Sequence, residues 1–264
     1  MGGFVVCCDL DGVLWRGDVA IPGAAAGVQQ LRAAGLRVAF LTNNSGARVA
    51  DYVAKLGSLG VDAAADEIAT SAQAAAALLA RDTSPGARVL ACAGGGVIEA
   101  VEARGFTVVD RGPADAVVVG WHQTFDYDEL KRTADAVREG ARYIATNLDP
   151  TYPGPDGLLP GAGSIAAAVT TAAGRQPEVA GKPWPPAAEL VRARFGNDGV
   201  MIGDRPSTDG AFAATLDWPF ALVLSGVAGP GREEDVPNPP PPFVAADLRE
   251  LAPLLIEEFA GHSP

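Results

Sequence analysis

The sequence predicts an α/β protein built on a parallel sheet, with a second, smaller α/β segment inserted into the first. Short apolar runs alternate with longer helical patterns almost throughout, as strands joined by crossover helices require. The alternation changes rhythm in the middle of the chain and returns near its end. The 264 residues suffice for one large core or two modest ones.

Taken in order, residues 4–8 form a continuous apolar strand, 24–34 a helix, 38–41 a strand and 47–59 a helix. The same grammar resumes with a strand at 200–202, a helix at 210–216, a strand at 220–224 and a helix at 248–259. Between them lie a strand at 88–92, a helix at 96–104, strands at 106–109 and 116–119, a helix at 127–139 and a strand at 143–146. Thr83-Ser84-Pro85-Gly86 and Gly174-Arg175-Gln176-Pro177 are hinge compositions. They divide the chain into a first domain of residues 1–82 and 178–264 and an inserted domain of residues 83–177. The proline-rich run at 237–242 reads as a stiff surface connection.

Composition narrows the function. Hydrophobic residues make up 48%, as in a folded protein, and the net charge is −12 with pI about 4.6. Nucleic-acid binding rests on clustered Lys and Arg, so a nucleic-acid partner is not expected. The start lacks a basic run before its apolar stretch, and no apolar run reaches membrane-spanning length. A cytoplasmic protein without a membrane partner is therefore expected. Cys7, Cys8 and Cys92 show neither metal-ligand spacing nor a disulfide framework, and Cys7 and Cys8 read as core residues.

Four short motifs fall at predicted C-terminal ends of strands, where open parallel sheets place ligands. In Asp9-Leu10-Asp11-Gly12, carboxylates at i and i+2 on an extended segment point the same way. Two adjacent buried anions need a cation or a shared proton, which suits one ionised nucleophile beside one protonated acid. A β-turn is the plain alternative. Thr42-Asn43-Asn44-Ser45 offers a hydroxyl and two amides to phosphate oxygens, or a helix N-cap. Both hold if Thr42 faces the ligand while Asn44 or Ser45 caps. In Gly181-Lys182-Pro183, a compact ammonium can touch carboxylate and phosphate together, or stand as a loop lysine. In Gly203-Asp204-Arg205-Pro206-Ser207-Thr208-Asp209, two acids follow an apolar strand and offer the hard oxygens that suit Mg²⁺; Asp209 also fits a helix cap.

In this order the motifs resemble the four signatures of the haloacid dehalogenase superfamily, over nearly the whole chain. Together with Ala145-Thr-Asn-Leu-Asp149 and Pro160-Gly-Ala-Gly-Ser164, they are similar to its subclass IIA, the NagD-type and nitrophenyl-phosphatase-like enzymes. About thirty residues separate Asp11 from Thr42, enough for one helix and a strand. About 140 separate Thr42 from Lys182, so the inserted segment belongs there. The resemblance implies a Rossmann-like core with a C2-type cap.

It also implies the chemistry, a Mg²⁺-dependent phosphatase acting on a small phosphomonoester. Asp9 attacks phosphorus, and Asp11 protonates the leaving oxygen and then activates water. Mg²⁺ is held by the Asp9 carboxylate, the Asp11 carbonyl and Asp204, with Asp209 behind. Thr42, Asn43 and Lys182 hold the phosphoryl. In the cap, Asn147 and Asp149 lie nearest the substrate; His122 is a substrate contact or a surface histidine. Gly94-Gly95-Gly96 is an anion-binding turn or a structural one. Caps in that subclass often form dimer surfaces, so a homodimer through the cap is a further expectation. Rival readings are a receiver-like phosphoacceptor, about half this length, a dehalogenase, which would lack the acid at position 11, and a silent small-molecule binder.

Overall fold

The computed structural model describes residues 3–154, 157–228, 236–237 and 239–262, and the chain divides into two compact units. The first comprises residues 1–42, 52–69 and 191–264; the second, residues 43–51 and 70–190.

The first unit is organised by a six-stranded sheet in the order Phe243–Ala245, Phe220–Val223, Gly199–Gly203, Val5–Asp9, Arg37–Thr42, Ile68–Thr70. The strand Val5–Asp9 is buried along its whole length and runs parallel to both neighbours. Such two-sided burial explains why it reads as an unbroken apolar run. From this central strand the chain goes first to Arg37–Thr42 on one side and returns much later to Gly199–Gly203 on the other. That reversal of strand order opens a crevice at the C-terminal strand ends, the switch point where such sheets bind ligands. The register puts Asp9 opposite Leu41 and Cys8 opposite Ile202, so Asp9, Thr42 and Asp204 leave the sheet at the same level. Helices Ala24–Ala33 and Leu248–Phe259 pack closely; a Cβ on Gly27 would collide with the Leu248 carbonyl. Asp247 caps the second of these by accepting from the Glu250 N–H at 3.0 Å.

The second unit has its own five-stranded parallel sheet, in the order Glu178–Val179, Arg142–Ala145, Ala116–Val119, Arg88–Cys92, Thr107–Val109. Helices Tyr127–Arg138 and Ala162–Ala173 contribute Val137, Ile165 and Val169 to a core shared with Val117, Val119 and Tyr143. Asp126 caps the first of them, accepting from Glu129 N–H at 2.7 Å.

The elements read from periodicity are present with ends shifted by no more than two residues, the helix read at 210–216 among them. There a π-turn, Pro206–Gly210, precedes the helix Ala211–Leu216. Periodicity passed over the Ala-rich helix Ser71–Leu79, and also Ala162–Ala173, Pro185–Phe195 and the short hairpins Trp15–Arg16/Val19–Ala20 and Thr151–Gly154/Gly157–Pro160. The two units also divide at other places than residues 82 and 178. The strand Glu178–Val179 belongs to the second sheet, and Arg142 ties Glu178 to the carbonyls of Leu78 and Leu79. In the proline-rich run 237–242, residue 238 lies outside the described residues, and the others are exposed or half-exposed. No helix among the described residues is long and apolar enough to cross a membrane.

Candidate active site

In the first unit, Asp9, Asp204 and Asp209 bring one carboxylate oxygen each within 4.8 Å of the others, and all three residues are buried. Anions so close and so desolvated repel strongly unless a cation lies among them. The local backbone is shaped to hold them. Beyond Asp9 the chain turns at once, with Leu14 N–H bonding back to the Leu10 carbonyl at 2.9 Å. Gly12 follows at φ +83°, and a Cβ there would fall on the Asp204 carboxylate. A residue with a side chain is excluded by both backbone angle and space. Gly226 approaches Asp204 in the same way, and Val227 N–H donates to Asp204 Oδ2 at 2.5 Å. Asp209 accepts from the Arg205 N–H at 3.1 Å through Oδ2. It stands in the same group of buried carboxylates as Asp9 and Asp204.

Asp11 departs from the i, i+2 expectation. The strand ends at Asp9, two residues before Asp11, so strand alternation does not itself align the two carboxylates. Asp11 Oδ1 instead accepts the indole N–H of Trp15 at 2.9 Å. Among the described residues the grouped carboxylates are those of Asp9, Asp204 and Asp209, without Asp11. Ser225 donates to the Gly12 carbonyl at 2.8 Å and Arg16 to the Ser225 carbonyl at 2.6 Å, which pins the turn to the loop after Phe220–Val223. Thr42 ends the strand Arg37–Thr42 and is buried.

The other motif residues lie in the second unit, which the chain enters at Asn43. Lys182 is only 3% exposed. Its main chain is clamped by the Asn43 amide: Lys182 N–H donates to Oδ1 at 2.8 Å, and Nδ2 donates to the Lys182 carbonyl at 3.0 Å. The same Nδ2 lies 3.0 Å from Asp149 Oδ2. Asn43 was expected on the phosphate, yet the bonds of its amide run to Lys182 and Asp149. Asn147 is likewise engaged, donating to the Asn43 carbonyl at 2.7 Å and accepting from the Asp149 N–H at 3.0 Å. Ser71, unremarked in the sequence, donates to the Asn43 carbonyl at 2.5 Å.

Neither Asn44 nor Ser45 caps a helix, since the next one is Val49–Ser58. Asn44 Oδ1 closes a turn on Gly46 N–H at 2.9 Å, and buried Ser45 Oγ accepts from Trp121 N–H and Thr146 Oγ1. His122 is turned into its own unit, with Nε2 facing Cys92 and Glu129 and Nδ1 facing Thr124. That leaves neither ring nitrogen directed to a substrate. Gly94 and Gly96 are close-packing positions, where a Cβ would strike the Gly46 and Ala47 carbonyls, whereas one on Gly95 would meet only the Arg48 side chain at ordinary contact.

These features are matched by known proteins. A family model described as haloacid dehalogenase-like hydrolase matches residues 6–107, and a second, HAD-hydrolase-like model matches 179–251. The chain belongs to this family of hydrolases. It is 40% identical over 256 residues to the D-glycerol 3-phosphate phosphatase of Mycobacterium tuberculosis, covering 92% of this chain and 69% of that protein. It is 35% identical over 247 residues to the acid sugar phosphatase of Staphylococcus saprophyticus, covering 92% of this chain and 94% of the relative. The crystal structure of glycerol phosphate phosphatase from M. tuberculosis in complex with magnesium superposes with a TM-score of 0.86 at 38% identity, covering 95% of this chain and 76% of that one.

Proposed function

We propose that this hydrolase is a Mg²⁺-dependent phosphatase that cleaves a small phosphomonoester through an aspartyl-phosphate on Asp9. The observation that carries the reading is the convergence of Asp9, Asp204 and Asp209 at the switch point, with the Asp11 carboxylate set apart on Trp15. An all-oxygen, anionic donor set fits a hard divalent cation. Asp9 and Asp204, with the Asp11 carbonyl and Asp209, would hold Mg²⁺, which when bound neutralises charge on the phosphoryl oxygens.

Asp9 attacks phosphorus in line as the bond to the leaving oxygen breaks. Asp11 donates its proton to that oxygen, so the alcohol departs neutral. Asp11 then takes a proton from the water that attacks the acyl phosphate, releasing inorganic phosphate and the Asp9 carboxylate. The indole N–H orients the Asp11 carboxyl for both transfers. Thr42 and Lys182 hold phosphoryl oxygens; Asn43 positions Lys182 through its main chain, and Asn147 supports Asn43. Asp149 completes that network and stands as the cap residue facing the substrate.

The insert of residues 83–177 acts as the cap that closes on the substrate and sets specificity. The named relatives support a polyol phosphate or sugar phosphate as substrate, ahead of nucleotides and pyridoxal phosphate. A cytoplasmic location and a homodimer formed through the cap belong to the same reading. A panel of phosphomonoesters with Mg²⁺, ranked by kcat/KM, tests it. Polyol or sugar phosphates should lead, chelation should stop turnover, and Asp9→Asn should lower kcat by on the order of 10⁴ or more. Turnover that survives Asp9→Asn or needs no divalent metal contradicts the mechanism.

A further inference from the structure

The second unit gathers a set of ligand atoms that the proposed reaction does not use. Cys92 ends the strand Arg88–Cys92, His122 follows the neighbouring strand Ala116–Val119, and Glu129 lies in the first turn of the helix Tyr127–Arg138. One ligand atom from each lies within 4.8 Å of the other two. Cys92 Sγ is 3.8 Å from His122 Nε2, which is 3.6 Å from Glu129 Oε2. The second spacing is too long for a good hydrogen bond and the first is long even for sulfur. Both suit atoms arranged around a common centre. Tetrahedral Zn²⁺, about 2.3 Å from sulfur and about 2.0–2.1 Å from nitrogen and oxygen, sets S and N about 3.6 Å apart and N and O about 3.3 Å apart.

The surroundings favour the same arrangement. Thr124 Oγ1 lies 3.1 Å from His122 Nδ1, and a proton donated there leaves the Nε2 lone pair toward Cys92 and Glu129. Arg132 faces the other Glu129 oxygen at 3.4 Å, leaving Oε2 to the centre. Thr133, one turn beyond Glu129, is 0% exposed, and its hydroxyl meets no partner at hydrogen-bonding geometry. It nonetheless lies near enough to the Cys92 thiol to favour the thiolate. An orphaned buried hydroxyl calls for a water or an ion, and water in a fourth coordination position would satisfy it. One thiolate, one carboxylate and one neutral imidazole also balance a divalent charge, as a buried site demands.

We propose that Cys92, His122 and Glu129 bind Zn²⁺, with water in the fourth position beside Thr133. The site is independent of the phosphatase reading. Without metal, burial and then the Glu129 charge push the Cys92 thiol up to about 12, so loading releases a proton.

Co²⁺ is the probe, added to full-length protein first stripped by a chelator. One equivalent should bind with intense tetrahedral visible bands and a near-ultraviolet thiolate-to-cobalt band, and Zn²⁺ should displace it. Asp9→Asn and Asp204→Asn should leave these bands unchanged. Cys92→Ser should remove the thiolate band, His122→Gln and Glu129→Gln should lose the equivalent, and Thr124→Val should weaken binding about 10–100-fold. Octahedral cobalt alone in the wild-type protein, or a thiolate band that survives Cys92→Ser, overturns the proposal. Should Cys92→Ser not fold, retention of the tetrahedral bands by folded His122→Gln overturns it instead.

Discussion

Two three-residue ligand sets stand at the C-terminal ends of two parallel sheets, and they differ in the atoms they present. Asp9, Asp204 and Asp209 offer oxygen alone; Cys92, His122 and Glu129 offer sulfur, nitrogen and oxygen. The topology is shared, because adjacent parallel strands deliver the residues beyond their C-terminal ends to one crevice. Donor chemistry decides what each can do. Three anionic oxygens suit a hard cation that keeps coordination positions for phosphate, whereas a thiolate and an imidazole select a softer, tetrahedral ion. The acid set also has a fourth carboxylate held close in sequence but apart in direction, Asp11 on Trp15.

Asp11→Asn breaks the comparison hardest. Removing the general acid should lower kcat about 10²–10⁴-fold on alkyl phosphates and far less on aryl phosphates, whose leaving groups need no proton. Equal losses on both would remove Asp11 from that role. Gly12→Ala places a methyl group on the Asp204 carboxylate in a left-handed backbone conformation. It should cost roughly 1–3 kcal/mol of stability and raise the Mg²⁺ concentration needed for half-maximal rate, measured by thermal melts and metal titration. Trp15→Phe keeps the ring but deletes the N–H, and kcat should fall about tenfold at unchanged KM. A KM effect alone would give Trp15 a packing role only.

The smallest effect lies in the second unit, at Glu178. Hydrogen bonding from Arg142, and then its charge with that of Arg81, holds the Glu178 carboxyl below the usual 4.5, while Asp82 shares Arg142. A depressed carboxyl stabilises the fold above its unfolded value and loses that contribution as pH falls through the folded one. Wild type should therefore melt slightly above Glu178→Gln at pH 7, with the curves converging below pH of about 4. A constant offset across that range would assign the difference to packing.

Asp9 and Asp204 were legible because each follows a short apolar run within a compact motif, and Asp209 because it closes the same motif as Asp204. The Asp11–Trp15 bond was not, since the strand ends two residues before Asp11, where an i, i+2 argument no longer applies. Asn43 and Asn147 were placed near substrate from motif and resemblance, and neither could show the tertiary bonds that join Asn43 to Lys182 and Asp149 and Asn147 to Asn43. The mixed set was illegible for a plainer reason: Cys92, His122 and Glu129 come from three elements with no recurring spacing. The helices Ser71–Leu79 and Ala162–Ala173 escaped periodicity because alanine on nearly every face leaves no apolar stripe to count.

The most direct test of the central claim is to identify the residue that carries the phosphoryl group. Protein quenched during turnover of a good substrate with Mg²⁺ can be reduced with borohydride, which converts an aspartyl-phosphate to homoserine, and then mapped by peptide mass spectrometry. Homoserine at position 9 is the predicted result. Homoserine at position 11 or 204, or phosphate recovered on a histidine or serine, would contradict it.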